Sequence, residues 1–171
     1  EIIMKKIKRI TAVILSALMM TSAFSVLPVS AAEVESNTSA VPSDENFISG
    51  GYEYSLLDDG TIEISKYVGN DSDVTIPDEI DGKKVTSIGE WAFSSLLNLT
   101  NITIPNSVIN IGNGAFSGCT SLKSINIPDN ITAIQRYAFS NCISLKQLVL
   151  SKNIKSIEWG AFENCTLLEK I

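Results

Sequence analysis

Three cysteines at a constant spacing are the residues of this chain best suited to chemistry. Cys119, Cys142 and Cys165 lie 23 residues apart. A thiol can act as a nucleophile or a metal ligand, but a nucleophilic thiol needs a base or a positive charge that lowers its pKa. The chain contains no histidine, the commonest general base and metal ligand. We therefore expect no catalytic residue, no metal and no cofactor, and predict that the chain is not an enzyme.

The sequence around the cysteines favours a structural role. Leu96 stands 23 residues before Cys119, at the place where a fourth cysteine would continue the series. A position that accepts leucine is a small buried apolar site, and free cysteine is itself among the most buried residue types. The alternative is a disulfide between neighbouring cysteines, which a regular stack could bring within bonding distance. The odd number of cysteines argues against that alternative.

Two acidic clusters are the other candidates for a metal site. They are Asp58-Asp59-Gly60 and Asp71-Ser72-Asp73, whose carboxylates could bind calcium. Neither has the ligand spacing of a known calcium loop. Acidic residues beside glycine are also typical of hairpin turns. We interpret both clusters as turns.

Residues 1–32 have the pattern of a secretory signal peptide. Basic residues follow Met4, an apolar run extends from Ile10 to about Leu27, and small residues lead to Ala31 and Ala32. The alternative is an uncleaved membrane anchor, but the apolar run is near the lower length limit for a span. We therefore expect a protein that is exported, either secreted or held at the cell surface, and that has no membrane span after cleavage.

Cleavage would leave a strongly acidic protein. The whole chain has a formal net charge of −6, and residues 1–32 carry +3, so the remainder carries −9. Contacts with phosphates need a positive surface. We expect no nucleic-acid partner.

Residues 33–87 are expected to lead into the main fold. Residues 33–48 are rich in serine, threonine, alanine and acidic residues, which predicts a flexible linker. In residues 49–87, apolar and polar residues alternate on both sides of Asp58-Asp59-Gly60. The apolar positions are Tyr52 and Tyr54 before it and Ile62 and Ile64 after it. This pattern predicts a β-hairpin. We interpret residues 49–87 as an N-terminal β cap with an initial coil.

Residues 88–171 repeat with a period of 23 residues, and six apolar columns share one register. The largest members of these columns are Phe93, Phe116, Phe139 and Phe162. One coil cannot bury its own core, so a constant period indicates a solenoid in which each coil packs on the next. The motif L-x-x-I-x-I in each copy predicts a short strand. The expected fold is therefore a β-rich solenoid with a parallel sheet on its concave face and a hairpin cap.

The residues that flank the first isoleucine of each strand motif are expected to point away from the core, because side chains alternate along a strand. They form a mostly polar, uncharged strip that suits hydrogen bonding to a peptide or a glycan. The predicted ligand-binding residues are Asn101, Thr103, Ser124, Asn126, Gln147 and Val149. The alternative is that they are only strand residues that tolerate solvent. Trp91 and Trp159 could be binding aromatics, although packing under the loop is the favoured interpretation.

The unit "IGNGAFSGCTSLKSINIPDNI" combines the elements I-G-x-x-A-F, C-x-x-L and I-x-I-P. In these elements the chain resembles the BspA-like class of bacterial leucine-rich repeats, over Ile88 to Ile171 and in about three and a half copies. The resemblance implies a leucine-rich repeat solenoid that is exported or attached to the bacterial surface. It also implies a function in adhesion, in which the protein binds extracellular-matrix proteins or other microbes. Such a scaffold has no catalytic activity of its own.

We therefore expect a monomeric, secreted or cell-surface scaffold that binds extracellular protein or glycan ligands in adhesion. One alternative is a module that targets a downstream secreted enzyme domain, and another is a structural spacer. The chain stops at Ile171, inside the strand motif of its fourth copy. We expect it to continue in a longer protein with an anchor, more repeats or an enzymatic domain.

Overall fold

The structure is a computed structural model that describes residues 46–169. The predicted signal peptide, residues 1–32, lies outside the described residues, as does nearly all of the predicted linker. Strand β1 begins at Phe47, so the last two residues of the segment 33–48 belong to the cap.

The described residues form a β-solenoid with twelve strands and no helix. The strands are β1 (Phe47–Ser49), β2 (Tyr52–Leu56), β3 (Ile62–Tyr67), β4 (Asp73–Thr75), β5 (Glu79–Ile80), β6 (Lys83–Ile88), β7 (Asn101–Thr103), β8 (Asn110–Ile111), β9 (Ser124–Asn126), β10 (Ala133–Ile134), β11 (Gln147–Val149) and β12 (Ser156–Ile157). From β7 onward, strands of three residues alternate with strands of two residues, so each coil contributes one of each.

The three-residue strands stack into one parallel sheet, which we call the main sheet. Its order is β4, β7, β9 and β11. Asn101 pairs with Ser124, and Ser124 pairs with Gln147, so successive copies keep the same register. The two-residue strands of the repeats pair in parallel too, β8 with the end of β6 and β12 with β10. The predicted solenoid with a parallel sheet is confirmed.

The cap begins with the predicted hairpin. Strands β2 and β3 pair antiparallel, and β1 extends this sheet beside β2. The turn between β2 and β3 closes where the Leu57 amide donates to the Thr61 carbonyl oxygen at 2.9 Å and the Thr61 amide donates to Asp59 Oδ1 at 2.9 Å. Strand β3 then pairs in parallel with β6, and this pairing joins the cap to the first coil.

A second hairpin accounts for the extra residues before the regular repeats. Strands β5 and β6 pair antiparallel around Asp81 and Gly82, whose φ angles are 51° and 75°. Asp81 also accepts hydrogen bonds from the hydroxyls of Ser49 at 2.9 Å and Tyr54 at 2.8 Å. The insertion therefore forms a turn that ties the first coil to the cap.

A column of stacked aromatic rings runs through the core, as the spacing of the phenylalanines predicts. The ring centroids of Phe93 and Phe116 are 5.4 Å apart, and those of Phe116 and Phe139 are 5.5 Å apart. Phe162 continues the column at 5.7 Å from Phe139. Tyr67 of the cap starts it, at 5.4 Å from Phe93. These separations match the roughly 4.8 Å between paired strands, so ring stacking and strand pairing reinforce each other.

Each coil passes twice through the left-handed backbone region. One position is held by Trp91, Gly114, Tyr137 and Gly160, and the other by Ser95, Gly118, Asn141 and Asn164. Glycine adopts this conformation freely and asparagine tolerates it, whereas a bulky side chain is strained there. The recurrence of positive φ at the same two places shows that the coil needs these turns whatever residue supplies them.

Phe116→Ala is expected to lower the free energy of unfolding by about 3–5 kcal/mol, because the buried ring loses contacts with a ring on each side. Chemical denaturation followed by circular dichroism measures this loss. The matched control is Phe162→Ala. Because Phe162 is only partly buried, this substitution should lower the free energy of unfolding by less. Equal losses at the two positions would contradict a column whose centre holds the coils together.

Candidate functional site

All six predicted binding residues lie on the exposed face of the main sheet. In β7, β9 and β11 the central residue is buried and the two flanking residues are exposed. Because the strands pair in register, the flanking residues form two rows. We call them the strand strip, which consists of Asn101, Thr103, Ser124, Asn126, Gln147 and Val149. The structure brings together every residue that the motif predicts; whether they bind a ligand remains a prediction.

Two further residues extend the strand strip and were missed from the sequence. Asp73 pairs with Asn101, and Thr75 pairs with Thr103, so β4 adds one exposed residue to each row. The sequence does contain a signal, because Val74-Thr75-Ile76-Pro77 matches I-x-I-P. The signal is weak because the step from Ile76 to Ile104 is five residues longer than the 23-residue period.

The side-chain amides of the strip differ in their hydrogen bonding from asparagines at the corners of the coils. Asparagines at the corners of the coils are bonded to the neighbouring coil. Asn113 Nδ2 donates to Glu90 Oε1 at 2.8 Å, and Asn164 Nδ2 donates to Asn141 Oδ1 at 2.9 Å. Within residues 46–169, the side chains of Asn101, Asn126 and Gln147 make no hydrogen bond to another residue. The strip therefore presents donors and acceptors that are free for a ligand, with the apolar Val149, 61% exposed, at one end.

The cysteine column is structural, as Leu96 at the equivalent position predicts. All three thiols are free, and each lies near the phenylalanine carbonyl of the coil before it. The Sγ of Cys119 donates to the Phe93 oxygen at 3.0 Å, and that of Cys142 donates to the Phe116 oxygen at 3.2 Å. Burial raises the pKa of the Cys119 thiol from 9.0 to about 12, and burial also raises the pKa of Cys142. Thiols held protonated in this way are poor nucleophiles.

Asp58-Asp59-Gly60 lies in the hairpin turn, as predicted, whereas the interpretation of Asp71-Ser72-Asp73 as a turn is wrong, because Asp73 begins strand β4. Asp59 Oδ1 accepts hydrogen bonds from the amide and the hydroxyl of Thr61, and these bonds lower the pKa of Asp59. Asp71 accepts a hydrogen bond from the Tyr67 hydroxyl at 2.5 Å. In the part of the chain that the structure describes, no three acidic or cysteine side chains gather closely enough to hold a metal ion. The same residues include no helix long and apolar enough to cross a membrane.

Both tryptophans lie at the surface. Trp91 is 49% exposed and Trp159 is 69% exposed, which is more than packing under the loop would leave. Trp159 contacts Tyr137 edge to face, with ring centroids 4.9 Å apart. The rings therefore cover neighbouring coils from outside.

Comparison with known proteins agrees with this architecture. The family model for the BspA type leucine rich repeat region matches residues 66–171 in 6 copies. No protein of curated function matches the chain.

Three solved structures illustrate the similarity. A leucine-rich repeat protein of T. pallidum has a TM-score of 0.64 and 30% identity over 72% of this chain and 69% of its own. One from Bacteroides ovatus has a TM-score of 0.65 and 35% identity over 70% of this chain and 33% of its own. A leucine rich cell surface protein of Faecalibacterium prausnitzii has a TM-score of 0.53 and 31% identity over 70% of this chain and 37% of its own. The chain thus spans only about a third of the last two proteins.

The raised pKa of Cys119 predicts a specific loss of stability in alkali. Above pH 9.0 the unfolded chain releases the thiol proton, whereas the folded chain keeps it up to about pH 12. The folded state is therefore favoured less as the pH rises. The stability advantage of the wild type over Cys119→Ala should be about 2 kcal/mol smaller at pH 10.5 than at pH 8.

Urea denaturation at the two pH values measures this difference, and other titrating groups cancel because both proteins carry them. Cys165→Ala is the matched control, since that thiol is only half-buried and should show a weaker pH effect. A difference between wild type and Cys119→Ala that does not change with pH would contradict the assignment.

Proposed function

Because the chain belongs to the BspA-type leucine-rich repeat family, we propose that it is an exported scaffold that binds an extracellular protein through the strand strip. The binding serves adhesion, and the scaffold contributes a binding surface without catalysing a reaction. This proposal rests on the free amides and hydroxyls of the strip, which stand in register on a sheet that the stacked core holds in place.

The rigidity of the main sheet supports binding through such short side chains. The carbonyl of Val149 accepts the Ile127 amide at 3.0 Å, and the carbonyl of Thr103 accepts the Ile76 amide at 3.0 Å, so ladder bonds continue past the strand ends. A surface that is ordered before binding loses little conformational entropy when a partner docks. Uncharged donors and acceptors also bind with little desolvation cost compared with buried charges.

Export is supported by the signal-peptide pattern of residues 1–32 and by the chain's similarity to a protein described as a cell surface protein. An acidic exported protein whose strip is uncharged apart from Asp73 fits a partner recognised mainly by hydrogen bonds and shape.

A second candidate function is a targeting module within a larger secreted protein. It is favoured by the lengths of the relatives, because this chain spans 33% of the Bacteroides ovatus protein. In that case the same strip would bring a linked enzyme domain to its substrate. Both functions require a ligand that binds to the strip, whereas a structural spacer would bind no ligand.

Replacing Asn101, Ser124, Asn126 and Gln147 together by alanine should weaken binding at least tenfold, because about 1.4 kcal/mol of hydrogen bonding is enough for that change. Surface plasmon resonance on a panel of immobilised extracellular-matrix proteins measures the affinity. The fold should persist, since all four side chains are exposed.

The matched control is the pair Asn106→Ala and Thr132→Ala, which removes exposed polar groups outside the strip. It should bind like the wild type. If the quadruple variant bound as tightly as the wild type, the strip would not be the binding surface. If the folded wild type bound no partner, the function as a structural spacer would be favoured.

A further inference from the structure

Two large aromatic residues stand where the other coils have glycine. Trp91 and Tyr137 occupy the same place in their coils as Gly114 and Gly160, and the four φ angles are 57°, 56°, 60° and 67°. A bulky residue is strained in this region, whereas glycine is not. The turn therefore needs no aromatic side chain, and the rings at these two positions call for a reason other than the backbone.

Each of these rings lies on the glycine of the following coil. A β-carbon at Gly114 would overlap the ring of Trp91, and one at Gly160 would lie 2.7 Å from Cε1 of Tyr137. The glycines thus support one side of each ring. Trp91 nevertheless remains half exposed, and Trp159 stands edge-on against Tyr137 with most of its surface in solvent. We call Trp91, Tyr137 and Trp159 the aromatic edge.

A polar groove adjoins the aromatic edge. It has a volume of about 380 Å³, is open to solvent, and is lined by the polar residues Glu63, Glu90, Asn110, Asn113 and Gln135. Gly89 and Gly112 also line the groove, and a side chain at Gly112 would collide with the backbone of Gly89 and Glu90. A volume of this size falls within the range of small-molecule sites, roughly 300–1,000 Å³.

Hydrogen bonds orient the polar groups of the groove. Asn113 Nδ2 donates to Glu90 Oε1 at 2.8 Å. Asn110 Nδ2 donates to Ser87 Oγ at 3.1 Å, and Ser87 Oγ donates to Glu63 Oε2 at 2.7 Å. A carboxylate accepts about four hydrogen bonds, so each glutamate keeps acceptor capacity for a ligand.

The groove and the aromatic edge run side by side along the solenoid. Glu90 directly precedes Trp91, and Asn113 directly precedes Gly114, on which the Trp91 ring lies. Trp91 and Tyr137 are two coils apart, which corresponds to about 10 Å at the usual strand spacing. A disaccharide unit of an extended glycan is of similar length. A linear chain along the axis would pack one sugar on Trp91 and a later sugar on the Tyr137–Trp159 pair, with hydroxyls over the groove.

We propose that the aromatic edge and the adjoining polar groove form a binding site for a linear, neutral glycan. Sugar C–H groups pack on the electron-rich faces of aromatic rings, while hydroxyls pair with amides and carboxylates. The groove carries two carboxylates, Glu63 and Glu90, which repel an acidic glycan and leave a neutral one as the favoured ligand. This site uses none of the residues of the strand strip and goes beyond the protein-binding function proposed above.

Intrinsic fluorescence tests this site directly, because the chain has only 2 tryptophans and both belong to the aromatic edge. The purified full chain would be titrated with cellopentaose, xylopentaose, chitopentaose and mannopentaose. A saturable change in emission is expected with at least one of them. Isothermal calorimetry with the same sugar gives the affinity without relying on tryptophan.

The variant Trp91→Gly combined with Tyr137→Gly should lower that affinity at least tenfold. It restores the glycine that the other coils carry, so the melting temperature should stay within a few degrees of the wild type. The quadruple alanine variant of the strand strip is the matched control and should bind the sugar unchanged. Asn113→Ala with Gln135→Ala is a second variant, which keeps both rings and should also weaken binding.

Three results would overturn the proposal. One is that none of the four sugars binds at millimolar concentration. Another is that the glycine variant and the Asn113 and Gln135 variant both keep the wild-type affinity. The third is that an oligoarginine peptide binds the aromatic edge while the sugars do not, which would assign the site to a basic peptide. None of these results depends on whether the strand strip binds a protein.

Discussion

The structure depends on the stacking of coils that cannot bury a core alone. The ring column from Tyr67 to Phe162 is the clearest expression of this constraint, because each buried ring is covered by the ring of the coil before it and the coil after it. The ring separations and the strand spacing are nearly equal, so one repeat distance satisfies both packing and hydrogen bonding. A substitution that changes the separation between coils therefore disturbs the packing of both neighbouring coils.

The same repeat distance aligns the polar groups of successive coils. Thiols meet carbonyls in the interior, and corner asparagines meet acceptors one coil away, as Asn113 meets Glu90. These ladders satisfy groups that a solenoid would otherwise leave unpaired. Within residues 46–169 the side chains of Asn101, Asn126 and Gln147 make no such bond, so these amides of the strand strip are available to a ligand. A second exposed surface arises where aromatic rings replace the glycine that the turn prefers.

Most of the fold could be predicted because periodicity converts one-dimensional spacing into contacts. Residues at the same offset in the 23-residue period become neighbours, so the phenylalanine column, the buried cysteines and the rows of the strand strip are all visible in the sequence. Features that depart from the period were harder to find. Tyr67 and Asp73 both belong to columns that begin in the cap, where spacing is irregular, and the hairpin around Asp81 interrupts the period there.

The sequence by itself determined the solenoid, its core and the six residues that face away from it, because alternation along a strand and repetition between coils are local properties. Only the tertiary structure decided which polar side chains are free. Asn101 and Asn113 look alike in the sequence, yet of the two only Asn113 donates to an acceptor on the preceding coil. It also decided that the ring of Trp91 lies on Gly114 at the surface, because the left-handed turn directs that ring across to the neighbouring coil.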